Sequence, residues 1–234
     1  MIATFSNKIF IVFFLTTLLT LLLVYLALKN SNYSKKQSSL IIIGLLGWLV
    51  LQGVLTLTNV YNTNINSIPP KIFIFGIFPT VAIIILLFVT SKGRNFIDGL
   101  SLKSLTLISC VRLPVEIVLY WLFIEKTIPK TMTFEGTNFD IIAGITAPIV
   151  AFFCFKKDKI TKNVILTWNF ICLALVINVV IIGILSSPTP FQQMAFEQPN
   201  IAIINFPISW LPTFIVPIVM LSHLISIRKI ILNK

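Results

Sequence analysis

The feature that most constrains the fold is a series of long apolar runs separated by short polar segments. A helix needs about 20 mostly apolar residues to cross the hydrocarbon core of a bilayer. Seven runs approach or reach that length, over residues 9–28, 39–60, 72–91, 104–125, 141–155, 163–186 and 206–227, and the fifth is the shortest. Only 11% of the 234 residues are charged, against about 25% in soluble domains. We therefore predict an all-α integral membrane protein, with residues 1–234 forming a single seven-helix transmembrane domain.

The basic residues indicate how this bundle is oriented, because lysine and arginine collect in cytoplasmic loops. One set of loops and the C-terminal tail contains Lys29, Lys35, Lys36, Lys92, Arg94, Lys103, Lys156, Lys157, Lys159, Lys162, Arg228, Lys229 and Lys234, and the other set contains Lys8, Lys71, Lys126 and Lys130. We therefore predict that the N-terminus lies outside and the C-terminus in the cytoplasm. The net charge of +11 is explained by this orientation and by anionic lipid head groups, so we expect no nucleic-acid partner.

The first run is not expected to be a cleavable signal peptide. It is longer than a signal core, and Lys29 and Asn30 follow it where small residues would mark a cleavage site. We expect it to remain in the mature protein.

The fourth run carries Arg112 and Glu116 at its centre. An ionisable side chain deep in a membrane costs roughly 3 kcal/mol or more on insertion scales, which makes it a candidate functional residue. The spacing i, i+4 places both side chains on one helix face, where they can pair. Two interpretations stay open: a structural ion pair, or a site that handles a substrate, an ion or a proton. In the second, Glu116 is the titrating group, since arginine keeps its proton.

Other polar residues are expected near the depth of Glu116. Gln52 of the second run and Asn178 of the sixth fall within about one helical turn of it, from a rise of 1.5 Å per residue. Prolines lie about seven residues inside the third, fifth and seventh runs, at Pro79, Pro148 and Pro212, and each should bend its helix at that level. The pattern predicts an outward-facing polar cavity, or else interhelical hydrogen bonds that lock the bundle.

Two outer loops share the pattern M-x-F-E-x-x-N, at residues 132–138 and 194–200. Their polar side chains, Glu135, Asn138, Glu197 and Asn200, could line a mouth above Glu116 rich in carboxylate and amide oxygens, which suits cations and polyhydroxyl solutes. Alternatively, they cap the helices that follow.

Metal, cofactor and catalytic signatures are missing from the sequence. Cys110, Cys154 and Cys172 all fall within predicted spans, and His223 is the one histidine. Zinc and haem motifs need closely spaced histidines or cysteines, so we expect no cofactor and no metal. His223 is interpreted as an interfacial residue near the cytoplasmic end of the seventh span. We name no catalytic residue, because no nucleophile with an acid–base partner stands out.

The segments VRLPVEIVLYWLF, MTFEGTNFDIIAGITAP and FQQMAFEQPNIAIINFPISWLP resemble a group of small multi-span proteins predicted from bacterial genomes, to which no activity is assigned. The resemblance covers roughly the C-terminal three-fifths of the chain and implies only that these segments recur together. It carries no catalytic residue across. We expect an integral protein of the bacterial cytoplasmic (inner) membrane.

The favoured function is binding or transport of a small polar solute or cation in a cavity around Glu116, with the bilayer as surroundings and protein partners unknown. The predicted substrate-binding residues are Arg112, Glu116, Gln52, Asn178, Glu135, Asn138, Glu197 and Asn200. The alternative is a non-transport membrane sensor or assembly protein in which Arg112 and Glu116 form a structural ion pair.

Overall fold

The computed structural model describes residues 3–31, 33–155 and 161–233, and in these ranges all regular secondary structure is helical. The predicted basic residues Lys156, Lys157, Lys159 and Lys234 lie outside the described residues. We number the main helices α1 (Asn7–Lys29), α2 (Lys35–Leu57), α3 (Phe73–Val89), α4 (Ser91–Asp98), α5 (Leu102–Ile124), α6 (Asp140–Phe153), α7 (Lys162–Ser186) and α8 (Leu211–Ile231).

Five of these helices, α1, α2, α5, α7 and α8, are long and apolar enough to cross a membrane. A sixth is added if α3 and α4, which meet at an angle of 89°, are counted as one bent span. The remaining apolar helix, α6, has 14 residues, or about 21 Å at 1.5 Å per residue, against a hydrocarbon core of about 30 Å. The all-helical class and several span-length helices are therefore confirmed, whereas the count of seven stays a prediction.

Helix α5 lies at the centre of the bundle and packs against α1, α6 and α8. Its apolar face, which includes Leu105, Val111 and Val118, joins the main hydrophobic core. A tight 3-10 turn at Ser109–Val111 interrupts the helix shortly before Pro114, whose ring nitrogen cannot donate the usual hydrogen bond. The central position of α5 brings its polar residues within reach of three neighbouring helices.

One end of the bundle gathers basic residues, and we call it the basic end. There the end of α1 meets the start of α5 through Asn30 Nδ2 and Ser104 Oγ, 3.2 Å apart. Arg228 near the end of α8 pairs with Asp98 of α4, with Nε and Oδ1 3.0 Å apart. At the opposite, far end, the Ile201 amide donates to the Thr127 carbonyl over 3.0 Å. The helices thus alternate in direction between two distinct ends.

Two of the three predicted proline bends coincide with wide turns of π-helix. The turn Phe73–Ile77 in α3 ends two residues before the predicted Pro79. The turn Leu211–Ile215 in α8 contains the predicted Pro212 and ends two residues before Pro217. In α6, Pro148 lies inside a regular α-helix. A proline that lacks an N–H frees the carbonyl of the residue four positions earlier, so α3 and α8 each present a carbonyl that needs another donor.

Helix α2 supplies both missing donors. Gln52 Nε2 donates to the Phe75 carbonyl, four residues before Pro79, over 2.9 Å. Trp48 Nε1 donates over 2.9 Å to the carbonyl of Thr213, four residues before Pro217. Helix α2 is therefore tied to both proline-containing helices by side-chain hydrogen bonds.

Candidate functional site

The candidate site begins on one face of α5. Ser109, Arg112 and Glu116 follow the spacing i, i+3, i+7 of a single helix face, and their exposed fractions are 0%, 3% and 1%. We call the group that they form with neighbouring side chains the polar cluster; its members are Ser109, Arg112, Glu116, Asn138, Asp140, Asn169 and His223.

The carboxylate partner of Arg112 is Asp140, the first residue of α6. Arg112 Nε donates to Asp140 Oδ2 over 2.7 Å, and Nη2 donates to Oδ1. Helix α6 can approach because a side chain on Gly144 would lie 2.6 Å from the backbone nitrogen of Leu113. The predicted pairing of Arg112 with Glu116 is therefore wrong: the planar guanidinium is bound in bidentate fashion by a residue from the next helix.

The remaining donors of Arg112 are also occupied. Both Nη1 and Nη2 lie 3.2 Å from the carbonyl oxygen of Cys172 in α7, and Nη1 lies 3.3 Å from Nε2 of His223 in α8. A buried guanidinium is tolerated when its donors are paired. Arg112 thus joins α5, α6, α7 and α8.

His223 is fully buried, so its predicted interfacial position is wrong. Because Arg112 can only donate, His223 Nε2 must accept, and the ring proton must lie on Nδ1. Nδ1 in turn lies 2.8 Å from Asn169 Oδ1, which accepts that proton, while Asn169 Nδ2 donates to the Ile165 carbonyl. Ser109 Oγ is 3.3 Å from Nε2 on the other side. The network therefore assigns a neutral imidazole protonated at Nδ1.

Glu116 is held by Asn138 and not by a cation. Asn138 Nδ2 donates to Glu116 Oε1 over 2.7 Å and to the Met132 carbonyl over 2.9 Å, while its Oδ1 accepts from the Asp140 amide. The second carboxylate oxygen, Oε2, is buried and has no hydrogen-bond partner among the described residues. Glu116 is thus the acidic side chain of the polar cluster that keeps an unoccupied coordination position.

The two M-x-F-E-x-x-N loops place their asparagines inside and their glutamates outside. Asn138 and Asn200 are both fully buried, and Asn200 Nδ2 donates to the Gly183 carbonyl over 3.4 Å. Glu135 and Glu197 are exposed. The asparagines therefore stabilise the loops from within, and a mouth lined by the glutamates above Glu116 stays a prediction.

Gln52 and Asn178 lie at different distances from the cluster. Gln52 is fully buried, and both ends of its amide are used, since Oε1 accepts from the Tyr61 hydroxyl and Nε2 donates to the Phe75 carbonyl. Burial raises the pKa of the Tyr61 phenol above its ordinary value, which keeps it a donor. Asn178 is half-buried and donates to the carbonyl of Thr137, next to Asn138. Gln52 thus makes hydrogen bonds that hold helices together, as in the structural interpretation. Asn178 lies at the edge of the polar cluster, next to Asn138.

Four members of the cluster were not among the predicted site residues: Ser109, Asp140, Asn169 and His223. Ser109 could have been found from its i, i+3, i+7 spacing with Arg112 and Glu116. No local spacing joins Asn169 or His223 to α5, because they come from α7 and α8. The role of Asp140 as partner of Arg112 depends on the close approach of α6 at Gly144.

The cluster is suited to binding a cation or a proton more than to nucleophilic catalysis. Ser109, His223 and Asn169 are joined as a nucleophile, base and orienting residue would be, but the Nε2 lone pair also faces Arg112 and all three side chains are at most 1% exposed. Within the described residues, no three histidine, cysteine or acidic side chains come together as a metal site. The distinctive group is the unpartnered oxygen of Glu116.

Comparison with known proteins gives one match. A family model described as Domain of unknown function (DUF8737) matches residues 69–231, a range that contains the whole polar cluster but not Gln52. No curated protein and no solved structure matches the chain. This match confirms the expected resemblance to a group of proteins without an assigned activity. Because the match covers well over half of the chain, the protein belongs to the family described as Domain of unknown function DUF8737.

Proposed function

We propose that this protein is a seven-span membrane protein that binds a proton or a small cation, free or as part of a cationic solute, at Glu116 and carries it across the bilayer. The observation that supports the site is the buried Glu116 Oε2, which has no partner among the described residues. Arg112 forms its ion pair with Asp140, and the hydrogen bond to Glu116 comes from the neutral side chain of Asn138. An ionised carboxylate buried without a cation is unfavourable by several kcal/mol. Glu116 therefore holds a proton or a bound cation.

The seven-span topology is supported by the way the helices connect the two ends. Counting α3 and α6 as spans gives seven crossings, and α4, at 89° to α3, then lies along the membrane surface at the basic end. The basic end faces the cytoplasm by the positive-inside rule. In this topology the loops with the two repeated motifs lie outside, and the polar cluster lies within the bilayer.

Carriage across the membrane requires a second state in which Glu116 becomes accessible. Glu116, Arg112, Asn138 and Asn200 are each at most 3% exposed, so the cluster is closed in this structure. The outer cover is formed by the loop that contains Met132 and Asn138. Movement of this loop away from α5 would break the contact of Asn138 with Glu116 and open the outward-facing cavity that we propose.

The binding step is tested by thermal unfolding of the purified protein across pH and with sodium, potassium, alkylamines and polyols. A ligand at 100 times its dissociation constant adds about 2.7 kcal/mol to the stability of the state that it binds. We expect the wild type and Glu125→Gln to be stabilised by one class of cation or by protons, whereas Glu116→Gln should not be. Glu125 is the control because it is a half-buried carboxylate outside the predicted binding residues. Equal responses in all three proteins would refute binding at Glu116.

The transport step needs a separate assay in sealed proteoliposomes. We expect flux of the stabilising cation, or of protons followed with an internal pH dye, in the wild type and in Glu125→Gln. In Glu116→Gln we expect this flux to be lost. Stabilisation by a cation without any flux would show that the protein binds the cation and does not carry it across the membrane.

The alternative is a membrane sensor or assembly protein that uses the cluster as structure. It is favoured by the saturation of Arg112 and Gln52 by protein groups alone. In that case a partner protein should co-purify equally with the wild type and Glu116→Gln, and no solute should affect stability.

A further inference from the structure

A continuous apolar groove runs along the bundle away from the polar cluster. Two adjoining cavities of about 390 and 360 Å³ share the lining residues Ile41, Leu45, Ile83, Ile218 and Leu221, so they form one groove between α2, α3 and α8. Each volume falls within the range of about 300–1,000 Å³ that is typical of ligand sites.

The groove offers no free hydrogen-bonding donor on its polar lining side chains. The hydroxyls of Ser222, Thr80 and Thr213 donate to carbonyls three or four residues earlier, over 2.8, 2.8 and 2.7 Å. The Trp48 indole donates to the Thr213 carbonyl over 2.9 Å. All other lining side chains are apolar. The groove is therefore suited to a hydrocarbon chain and not to a polar solute.

The length of the groove matches one leaflet of a bilayer. Along α8 it extends from Thr213 to Ile225, which corresponds to about 18 Å at 1.5 Å per residue. Half of a hydrocarbon core is about 15 Å thick. Ile225 lies three residues before Arg228, so the leaflet concerned is the one at the basic end.

Three exposed lysines lie within four residues of lining residues at the basic end of the groove. Lys29 follows Leu28, Lys92 precedes Phe96 on α4, and Lys103 follows Leu100, each neighbour being a lining residue. Within the described part of the chain, none of these three lysines takes part in an ion pair. Their charge is thus complementary to an anionic head group at the membrane surface.

We propose that this groove holds one acyl chain of an anionic phospholipid, whose head group lies among Lys29, Lys92 and Lys103. The inference rests on the proposed membrane topology but not on Glu116. The lipid would fill the space that separates α2 from α3 in the leaflet at the basic end. It would stabilise the arrangement in which α2 reaches the freed carbonyls of α3 and α8.

Two glycines of α2 provide matched variants for the test. Gly44 lines the groove and Gly47 does not, and in both positions an added Cβ meets nothing within 4 Å. Gly44→Phe therefore places a ring in the groove without a clash at its Cβ. Gly47→Phe makes the same change about 60° further around α2, outside the arc of the lining residues Ile41, Gly44, Leu45 and Trp48. On α3, Ile83→Trp and Ile85→Trp form a second pair, because these positions are 54% and 55% exposed and about 200° apart around the helix.

The experiment is native mass spectrometry after reconstitution in vesicles of equal parts dioleoyl-phosphatidylglycerol and dioleoyl-phosphatidylcholine, with extraction in mild detergent. We expect one retained phosphatidylglycerol on the wild type, Gly47→Phe and Ile85→Trp, and its loss from Gly44→Phe and Ile83→Trp. Lys29→Gln and Lys92→Gln should each weaken retention about fivefold, whereas Lys71→Gln at the far end should not.

Retention of lipid by Gly44→Phe and Ile83→Trp at the wild-type level would overturn the proposal. A mass that corresponds to two chains without a bound lipid would also overturn it. Equal retention of phosphatidylglycerol and phosphatidylcholine would refute the proposed preference for an anionic head group. Glu116→Gln should retain the lipid fully, so failure of the groove and failure of the proposed cation site are distinguished. The melting temperature of each variant in detergent shows that loss of lipid does not follow from misfolding.

Discussion

Arg112 and Glu116 lie one helical turn apart on α5 yet have different partners. Arg112 is bound by Asp140, which sits at the start of α6, where the helix dipole also favours a carboxylate. Glu116 accepts a hydrogen bond from Asn138, a neutral side chain. One buried guanidinium therefore lies beside two buried acids, and its ion pair is with Asp140. This charge balance is the basis of the proposed proton or cation site at Glu116.

The protonation state of His223 is a testable consequence of this network. Because the chain has one histidine, nitrogen-15 NMR of the labelled protein reports His223 alone. We expect a neutral ring protonated at Nδ1, since Nε2 must accept from Arg112. Asn169→Ala should shift the Nδ1 signal, and Asn178→Ala at the rim should not. A ring protonated at Nε2, or a doubly protonated ring at neutral pH, would contradict the network.

At the scale of elements, α2 acts as a tether for two helices broken by proline. Gln52 reaches α3 and Trp48 reaches α8, each at the carbonyl that a proline leaves without its donor. Gly76 allows α3 to lie close to α8 beside Gln52, since a side chain there would lie 2.5 Å from Thr213 Cγ2 and 3.3 Å from Gln52 Oε1. The polar residues of α2 thus compensate for hydrogen bonds that the prolines remove.

Replacement of Gln52 should reveal this compensation. Gln52→Leu leaves the Phe75 carbonyl and the Tyr61 hydroxyl without a partner, and we expect a loss of about 1–3 kcal/mol in the free energy of unfolding. In a Pro79→Ala background the loss should be smaller, because the alanine introduced at that position can donate its own N–H within α3. A double-mutant cycle measures the coupling, and zero coupling would show that Gln52 does not replace the donor missing at Pro79.

The positions of the helices could be predicted from the sequence, whereas the side-chain contacts between helices could not. The positions of the apolar runs agree with the helices to within a few residues, apart from the start of the last one, because hydrophobic length determines them locally. A proline also identifies which carbonyl it frees. Which side chain reaches that carbonyl, or which acid reaches Arg112, depends on how helices distant in sequence pack. The close approach at Gly144, which brings Asp140 to Arg112, has no local signature.

For the whole molecule, the alternation of helices between two ends predicts the location of the termini. With seven spans, the N-terminus lies outside and the C-terminus in the cytoplasm. We expect a C-terminal fusion reporter that is active only in the cytoplasm to give a signal, and an N-terminal tag to be accessible from outside in intact cells. A tag inserted after Asn62 should be inaccessible from the cytoplasm, since that loop lies at the far end. Both termini on one side would mean an even number of spans.

The assignment of separate roles to the two buried acids is tested most directly by comparing Asp140→Asn with Glu116→Gln in reversible unfolding in mixed micelles. Asp140→Asn leaves Arg112 buried without a counterion, and we expect a loss of about 3–5 kcal/mol. Glu116→Gln keeps the oxygen that Asn138 binds, and we expect a change within about 1 kcal/mol. The reverse order, with Glu116→Gln the more damaging, would show that Glu116 is the counterion of Arg112 and would remove the proposed cation site.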